Sequence, residues 1–381
     1  MAQPLGLGIV GVGALALRGL LPHLSQPDTH DKIRLRAICD PVTDRLRATA
    51  TQYGIPGAYP DVEQLLSDPT IDAVTIASPI GLHYEHCRLA LEHGKHVHVN
   101  KTLCTTVEEA DKLINLAAAN GLRLVASPGE ILRPQLRRAR ELIEQGAIGD
   151  LAWAICGGAF ENYHEQDEPE RLNAPGGATI NPAWYFQKPG GGPMYDMTVY
   201  ALHQLTSVLG PARRVSAMSG VRIREHVFEG VAIATEADDN TILLVDFGDS
   251  RFAVVHGTAA GSISEQFGAA VYFGTRGTID GVLLNGERFE FPGDEETTAF
   301  PVTDWDAQMR VLPHVVGQHR TIPESHVYED VMQLVDWVRD DAPTRVTAEH
   351  ARHVIEIIES GYRAAETGTT ENLRTSFELG A

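Results

Sequence analysis

The apolar run "LGLGIV", Leu5 to Val10, leads straight into Gly11-Val12-Gly13-Ala14-Leu15-Ala16, and a helical pattern, "ALALRGLLPHL", opens inside that hexapeptide. Strand, glycine turn and helix follow one another so closely that few folds remain available. The arrangement suits a buried strand that feeds a helix packed back on its own sheet. Gly11 permits the tight turn, Gly13 lets a pyrophosphate approach the backbone, and Ala16 keeps helix and strand close. The helix N-terminus around Val12, Ala14 and Leu15 presents free N–H groups to the phosphates.

The surrounding rhythm agrees. Between Leu5 and Ser127 the runs "LGLGIVG", "KIRLRAICD", "DAVTIAS", "KHVHVN" and "LRLVAS" read as buried parallel strands. They alternate with helical stretches whose stops are Gly54, Gly94 and Gly121. This predicts a doubly wound Rossmann sheet over residues 1–130. The second strand ends in Cys39-Asp40, where a carboxylate can accept both ribose hydroxyls of an adenosine and repel a 2′-phosphate. NAD is therefore favoured over NADP, with Arg45 as the one nearby group that could reach a phosphate.

From residue 131 to 381 the pattern becomes α+β. After the helix "RPQLRRARELIEQGAIGD", strand-like runs follow each other with turns at Asp238-Asp239-Asn240 and Gly248-Asp249-Ser250, which predicts a largely antiparallel open sheet. Two closing helices, "SHVYEDVMQLVDWVRD" and "TAEHARHVIEIIESGYRAAETG", could pack back on the nucleotide-binding domain. The stretch Leu172–Pro193 reads as a functional loop. No internal repeat is present.

Composition narrows the partners. A net charge of −20, from 51 acidic against 31 basic residues, excludes a broad phosphate-neutralising surface, so nucleic acid and anionic membranes are poor partners. Cys39, Cys87, Cys104 and Cys156 form no C-x-x-C pair and read as packed, reduced thiols. With no basic n-region and no long apolar run, a soluble cytoplasmic protein is expected. His83 with His86 and His96 with His98 lack an acidic or thiol companion, so no metal is expected.

Lys101 closes the strand in "KHVHVNKTL". A lysine at the carboxyl end of a parallel strand points into the crevice where open α/β sheets bind ligands. Farther on, Gly190-Gly191-Gly192-Pro193 opens a helix on which Asp196 and Tyr200, four apart, share a face, with His203 one turn beyond.

Five stretches carry a resemblance to the glucose-fructose oxidoreductase / inositol dehydrogenase / MocA family of sugar-acting dehydrogenases across essentially the whole chain. They are the Gly11–Ala16 turn, "ASPIGLHYEHCRLALEHGKHVHVNKTL", "RELIEQGAIGDL", "GGGPMYDMTVYALHQL" and "HVIEIIESGYRAAETG". The resemblance implies that Lys101 matches the active-site lysine of an E-K-P signature, and that Ser78, Pro79, His83 and Asn100 lie at the cofactor. Asn100 and Thr102 stand where Glu and Pro are usual. Tyr200 stands where a His usually follows the Asp by four residues.

Oxidising a secondary alcohol requires a base within hydrogen-bond reach of the hydroxyl proton. A phenol with a reference pKa of about 10 can serve beside an ammonium that stabilises the phenolate. Tyr200 is therefore read as the acid/base, Lys101 as binding the reacting oxygen, and Asp196 as holding a substrate hydroxyl or orienting the lysine; the first two roles could be exchanged. Arg133 and Lys188 are the cations for an anionic substrate. Tyr163, His164 and Trp184 are aromatic candidates either for stacking on a sugar or for a dimer interface, and His203 joins the substrate-binding set.

Two reactions fit such a site. One is net oxidation of a ring hydroxyl of a sugar, glycoside or inositol. The other, implied by some relatives, is redox-neutral hydrolysis of glycosides such as sulfoquinovosides or N-acetylgalactosaminides through transient C3 oxidation, elimination, water addition and return of the hydride. A homo-oligomer is expected, because an apolar sheet face offers a self-association surface.

Overall fold

The alternating strands of the first third do assemble into one parallel sheet. In the computed structural model, which describes residues 3–159, 173–175, 179–261, 270–296 and 311–379, β1 (Leu5–Val10), β2 (Ile33–Cys39), β3 (Gly57–Tyr59), β4 (Ala73–Ile76), β5 (His96–Val99) and β6 (Leu124–Ala126) lie in the order β3-β2-β1-β4-β5-β6. Every pairing is parallel. The order reverses between β1 and β4, and a ligand crevice opens at the carboxyl ends of strands at such a switch. β1 and β4 are buried along their whole length, as expected of strands covered on both faces. β3 is the strand that the sequence patterns miss, since three residues are too few for a period to show.

Local signals set the helix limits. Gly54, Gly94 and Gly121 all adopt positive φ, at 64°, 72° and 64°. Helix Val107–Ala119 begins with a reciprocal capping box, in which Thr106 Oγ1 accepts from the Glu109 N–H and Glu109 Oε2 accepts from the Thr106 N–H, each at 3.2 Å.

The chain divides into two compact units. The first contains this sheet and also takes in residues 314–348 from the far end of the sequence. Helix Ser325–Asp340 packs on β5, β6 and the turn of helix Ala16–Leu20, burying Val327, Tyr328, Val331, Met332, Leu334 and Val335. Lys32 Nζ donates to Asp336 Oδ1 at 2.8 Å. Burial pulls the His314 imidazole down, but hydrogen bonds to Asp336 and Glu329, each 2.8 Å, outweigh it and push it up to about 9.

The second unit is built on a nine-stranded sheet. Its strands are β7 (Leu151–Ala159), β8 (Arg214–Gly220), β11 (Asn240–Asp246), β12 (Phe252–Thr258), β13 (Val271–Gly274), β14 (Gly277–Asp280), β15 (Leu283–Leu284), β16 (Glu287–Arg288) and β17 (Glu371–Asn372), in the order β16-β15-β14-β13-β7-β12-β11-β8-β17. The pairing is antiparallel except where β7 meets β12. β9 (Glu225–Phe228) and β10 (Val231–Ala234) leave this sheet and, among the described residues, pair with each other.

Helices Pro134–Glu144 and Val199–Leu209 pack together, and Val199–Leu209 lies against β7. The turn Met194–Thr198 is pressed against β12 where Gly257 has no side chain: a Cβ there would collide with Thr198 Oγ1 and lie 2.8 Å from Met194 Sδ. The other sheet face is apolar and open. Met218 is 82% exposed, Ile242 53% and Leu244 51%, and Trp153 stacks on Phe273 at 4.3 Å between ring centroids.

Candidate active site

The glycine turn is held in shape by backbone contacts. Gly11 has φ 96°, its N–H donates to Cys39 O at 2.9 Å, and a Cβ would meet Ala77 O and Ser78 N at 2.7 Å. Any other residue there would be strained and would strike the β4 turn. At Gly13 an added Cβ would meet nothing within 4 Å, so the backbone faces open space of the kind a pyrophosphate would enter. Val12 differs from its expected role, because its N–H donates to Asp40 Oδ2 at 2.9 Å and is already engaged.

Asp40 likewise differs from the simple expectation. It is 3% exposed; Oδ2 accepts from Val12 N and from Arg45 at 2.9 Å, while Oδ1 accepts from Val42 N at 2.9 Å and from Arg45 at 2.7 Å. A carboxylate offers about four acceptor positions, and donors fill all of them. Two of these places are held by backbone N–H groups and the other two by Arg45.

Strand β5 continues into Asn100, whose N–H donates to Ile76 O at 2.9 Å, and then Lys101, half-buried. Asn100 is buried and its Oδ1 has no hydrogen-bond partner. An orphaned acceptor at a strand end suits a hydroxyl or amide donor of a bound dinucleotide, and with the open cradle at Gly13 it shows that these residues fit such a group. Lys101 joins Thr102 through a cis peptide bond, as Ser127 joins Pro128.

His83, expected at the cofactor, sits between two backbone carbonyls, and as a neutral ring it donates to one of them. The ring is buried, with Nδ1 2.6 Å from Thr102 O and Nε2 2.8 Å from Ser78 O. It spans the turn after β4 and the segment after Lys101, with both nitrogens facing backbone carbonyls. Burial pushes the imidazole down to about 4. Ser78 Oγ lies 2.9 Å from His86 Nδ1, and Pro79 is exposed.

His98 belongs to a buried chain of hydrogen bonds. Thr75 Oγ1 is 2.7 Å from His98 Nδ1, His98 Nε2 is 2.9 Å from Ser127 Oγ, and Ser127 Oγ donates to Asp330 Oδ2 at 2.5 Å. One direction satisfies each link: Thr75 donates to Nδ1, Nε2–H donates to Ser127, and Ser127 donates to the carboxylate. Burial pushes His98 down to about 3, in keeping with a neutral ring. The chain fastens helix Ser325–Asp340 to the strand that carries Lys101. Among the described residues no group of three or more His, Cys, Asp or Glu is placed to hold a metal, and no helix is long and apolar enough to cross a membrane.

In the second unit, Asp196 lies in a π-helical turn, Met194–Thr198, that passes into helix Val199–Leu209 with Tyr200 in its first turn; both residues are buried. His203, expected in the substrate-binding set, packs beside another imidazole. It is 2% exposed, its ring lies 4.5 Å from that of His350, and burial pushes it down to about 3. The helix is buried almost all round, so three-residue spacing could not tell a site-facing position from a core one.

Arg133, expected as a cation for an anionic substrate, is paired within the protein. It is 1% exposed, and its guanidinium makes a two-pronged pair with the buried Glu130, Nε to Oε2 at 2.7 Å and Nη2 to Oε1 at 2.9 Å. Its charge is balanced inside the fold. Lys188 is exposed, 3.8 Å from Asp238. Trp184 falls in the first unit, whereas Tyr185 and Lys188 fall in the second. Tyr163 and His164 lie outside the described residues. Sequence patterns missed Glu130, and in the first unit the pair of Arg18 with Glu324, whose carboxylate also lies 3.8 Å from His326 Nε2; the spacing of Glu130 and Arg133 at i and i+3 was the one available signal.

With the geometry established, comparison with known proteins gives a consistent result. Residues 5–127 match an oxidoreductase family description with an NAD-binding Rossmann fold, and residues 136–280 match the GFO/IDH/MocA C-terminal domain. A D-glucoside 3-dehydrogenase of Escherichia coli is 24% identical over 389 residues, covering 98% of each chain. A scyllo-inositol 2-dehydrogenase (NADP(+)) of Bacillus subtilis is 21% identical and covers 96% of this chain and 94% of its own. Among solved structures, the WlbA dehydrogenase of Bordetella pertussis in complex with NADH and UDP-GlcNAcA superposes with a TM-score of 0.75 at 17% identity, covering 99% of both chains, a likeness of fold.

Proposed function

Since the chain belongs to the GFO/IDH/MocA oxidoreductase family, we propose that it oxidises a ring secondary hydroxyl of a sugar, glycoside or inositol to the ketone, using NAD. The observation that carries this reading is Lys101, half-buried at the carboxyl end of β5 next to the orphaned Oδ1 of Asn100, in a chain whose full length matches polyol dehydrogenases. When bound, the nicotinamide supplies the hydride acceptor.

The chain's own residues do the rest. Tyr200 takes the hydroxyl proton, Lys101 holds the oxygen as it becomes a carbonyl, and Asp196 accepts from a neighbouring hydroxyl of the substrate. Asn100 Oδ1 accepts a hydrogen bond from the cofactor. Asp40, released from Arg45, accepts the adenosine hydroxyls and repels a 2′-phosphate.

The test is a panel of sugars, inositols and aryl glycosides incubated with the protein in deuterated water, with NAD and NADP in parallel. Reduced NAD should accumulate while glycosides stay intact. Catalytic release of aglycone with deuterium at C2 and no net reduced cofactor would instead establish redox-neutral hydrolysis. Equal turnover with NADP would remove the assigned role of Asp40.

The reading extends to assembly. The open sheet face, with Met218 paired in register to Ile242 and Leu244 to Val254, supports a homo-oligomer formed by a second copy of this chain. Wild-type protein should sediment as a dimer or larger, and a variant carrying Ile242→Lys and Leu244→Lys as a monomer. A monomeric wild type, or a variant that sediments unchanged, would rule this out.

A further inference from the structure

Arg213 and Arg214 are adjacent and exposed, but they are engaged differently. Arg214 Nε donates to Asp246 Oδ2 at 2.5 Å. The Arg213 guanidinium makes no hydrogen bond or ion pair among the described residues, in a chain whose 51 acidic residues outnumber 31 basic ones. Its charge does reach Asp246: burial pushes that carboxyl up, while the Gly248 N–H, Arg214 and then Arg213 hold it below its ordinary value. Shape fixes Arg213 instead. Its N–H donates to Asp246 O at 2.7 Å and its carbonyl accepts from Leu373 N at 2.8 Å, while the guanidinium lies over Gly248 in the turn between β11 and β12. A Cβ on Gly248 would lie 2.5 Å from Arg213 Nε and Nη1, so the bare glycine is what leaves room for the group.

Arg213 lines a cavity of about 400 Å³, all of whose lining residues belong to the second unit. Sites for small ligands commonly measure about 300–1,000 Å³. Arg251, from the same turn, is a second cation on the wall. Its Nε and Nη2 donate to the carbonyls of Gly248 and Phe247, each at 3.3 Å, which holds the group and leaves Nη1 without a partner among the described residues. Asp249 Oδ2 stands 3.8 Å from Nη2 and is 78% exposed. The Ser376 hydroxyl, also on the wall, has no hydrogen-bond partner among the described residues. Glu356, the carboxylate behind Thr375, is already engaged by the N–H groups of Arg374 and Thr375 at 2.8 Å and the Thr375 hydroxyl at 2.6 Å. Leu209, Pro211, Phe247 and Leu373 make an apolar part of the wall.

We propose that this cavity binds a small organic phosphate: the guanidiniums of Arg213 and Arg251 and the hydroxyl of Ser376 take the phosphate oxygens, and the apolar part of the wall covers the carbon body. Guanidinium forks match the oxygens of a phosphate, and two of them balance its two charges. Arg213 has no internal pair to give up on binding, unlike Arg133, whose charge Glu130 already balances. One such pocket is compatible with a net charge of −20, which opposes only a broad basic surface. The site stands independently of the roles given to Lys101 and Tyr200. Tyr200 lies in the first turn of the helix that ends at Leu209, about 14 Å away along its axis.

The test uses the full chain saturated with NAD, so that the dinucleotide site is filled, at constant ionic strength. The probe is phenyl phosphate, which has no sugar-like hydroxyls and so does not imitate the substrate. Calorimetric titration should show one saturable site per chain, with inorganic phosphate bound more weakly at the same site because it leaves the apolar wall uncovered. Arg213→Met should weaken phenyl phosphate about tenfold. That side chain makes no hydrogen bond within the fold, so the variant should fold as the wild type does. Arg213→Lys should recover only part of the loss, since an ammonium keeps the charge and lacks the fork.

Arg276→Met removes an exposed arginine from the turn between β13 and β14 and should leave the affinity unchanged. A wild type without saturable binding would overturn the proposal. So would an Arg276→Met variant that weakens binding as much as Arg213→Met, because net charge alone would then attract the anion. Inorganic phosphate bound as tightly as phenyl phosphate would overturn the organic ligand.

Discussion

Tyr200→Phe is expected to lower kcat about 10³-fold, within the range of general acid–base contributions, while NAD affinity stays unchanged. The phenol is buried in the first turn of helix Val199–Leu209, so phenylalanine keeps its packing and removes only the hydroxyl. The glycine turn and Asp40 belong to the other unit, which is why cofactor binding should not follow the loss of rate. Single-turnover reduction of NAD, with cofactor affinity measured by calorimetry on the same protein, provides both numbers. A rate within tenfold of wild type would remove Tyr200 from the chemistry. Loss of rate together with loss of affinity would point to a structural role.

The second large effect falls on stability. Glu130→Gln takes the paired carboxylate away from a guanidinium that is 1% exposed. Breaking such a pair costs about 3–5 kcal/mol. Replacing both members, Glu130→Leu with Arg133→Met, should recover most of that loss, because apolar residues of similar volume replace buried pairs at small net cost. Denaturant midpoints of the three proteins test this. Were Arg133 instead a free cation for an anionic substrate, Glu130→Gln would leave the midpoint in place and tighten binding of sugar acids.

Much of the first unit was legible because its signals are local. The glycine turn and the helix-stopping glycines act within a few residues, and Gly54, Gly94 and Gly121 do end helices at positive φ; the capping box at Thr106 and Glu109, which the structure adds, is just as local. Lys101 could be placed at a strand end because βαβ order dictates where strands end. The surroundings of individual side chains were less legible. His83, Arg133 and His203 were chosen by type and spacing, yet each ring or guanidinium is engaged by protein: carbonyls of Ser78 and Thr102, the carboxylate of Glu130, the ring of His350. Polarity and periodicity show that a residue is notable, whereas its partner comes from another element.

Glu324 shows the limit most clearly. Nothing around "IPESH" marks a glutamate that reaches the helix after the glycine turn, because that meeting requires helix Ser325–Asp340 to return to β5 after the chain has built most of a second sheet. By itself the sequence determined the nucleotide-binding turn, the parallel sheet around it and the lysine at the end of its fifth strand, since hydrophobic period and glycine placement act on neighbouring residues. Only the tertiary structure decided which charges are already paired, Asp40 with Arg45, Arg133 with Glu130 and Glu324 with Arg18. A charge taken out of water must find its counter-charge in space, and the chain's return path, not the spacing of residues along it, selects which group that is.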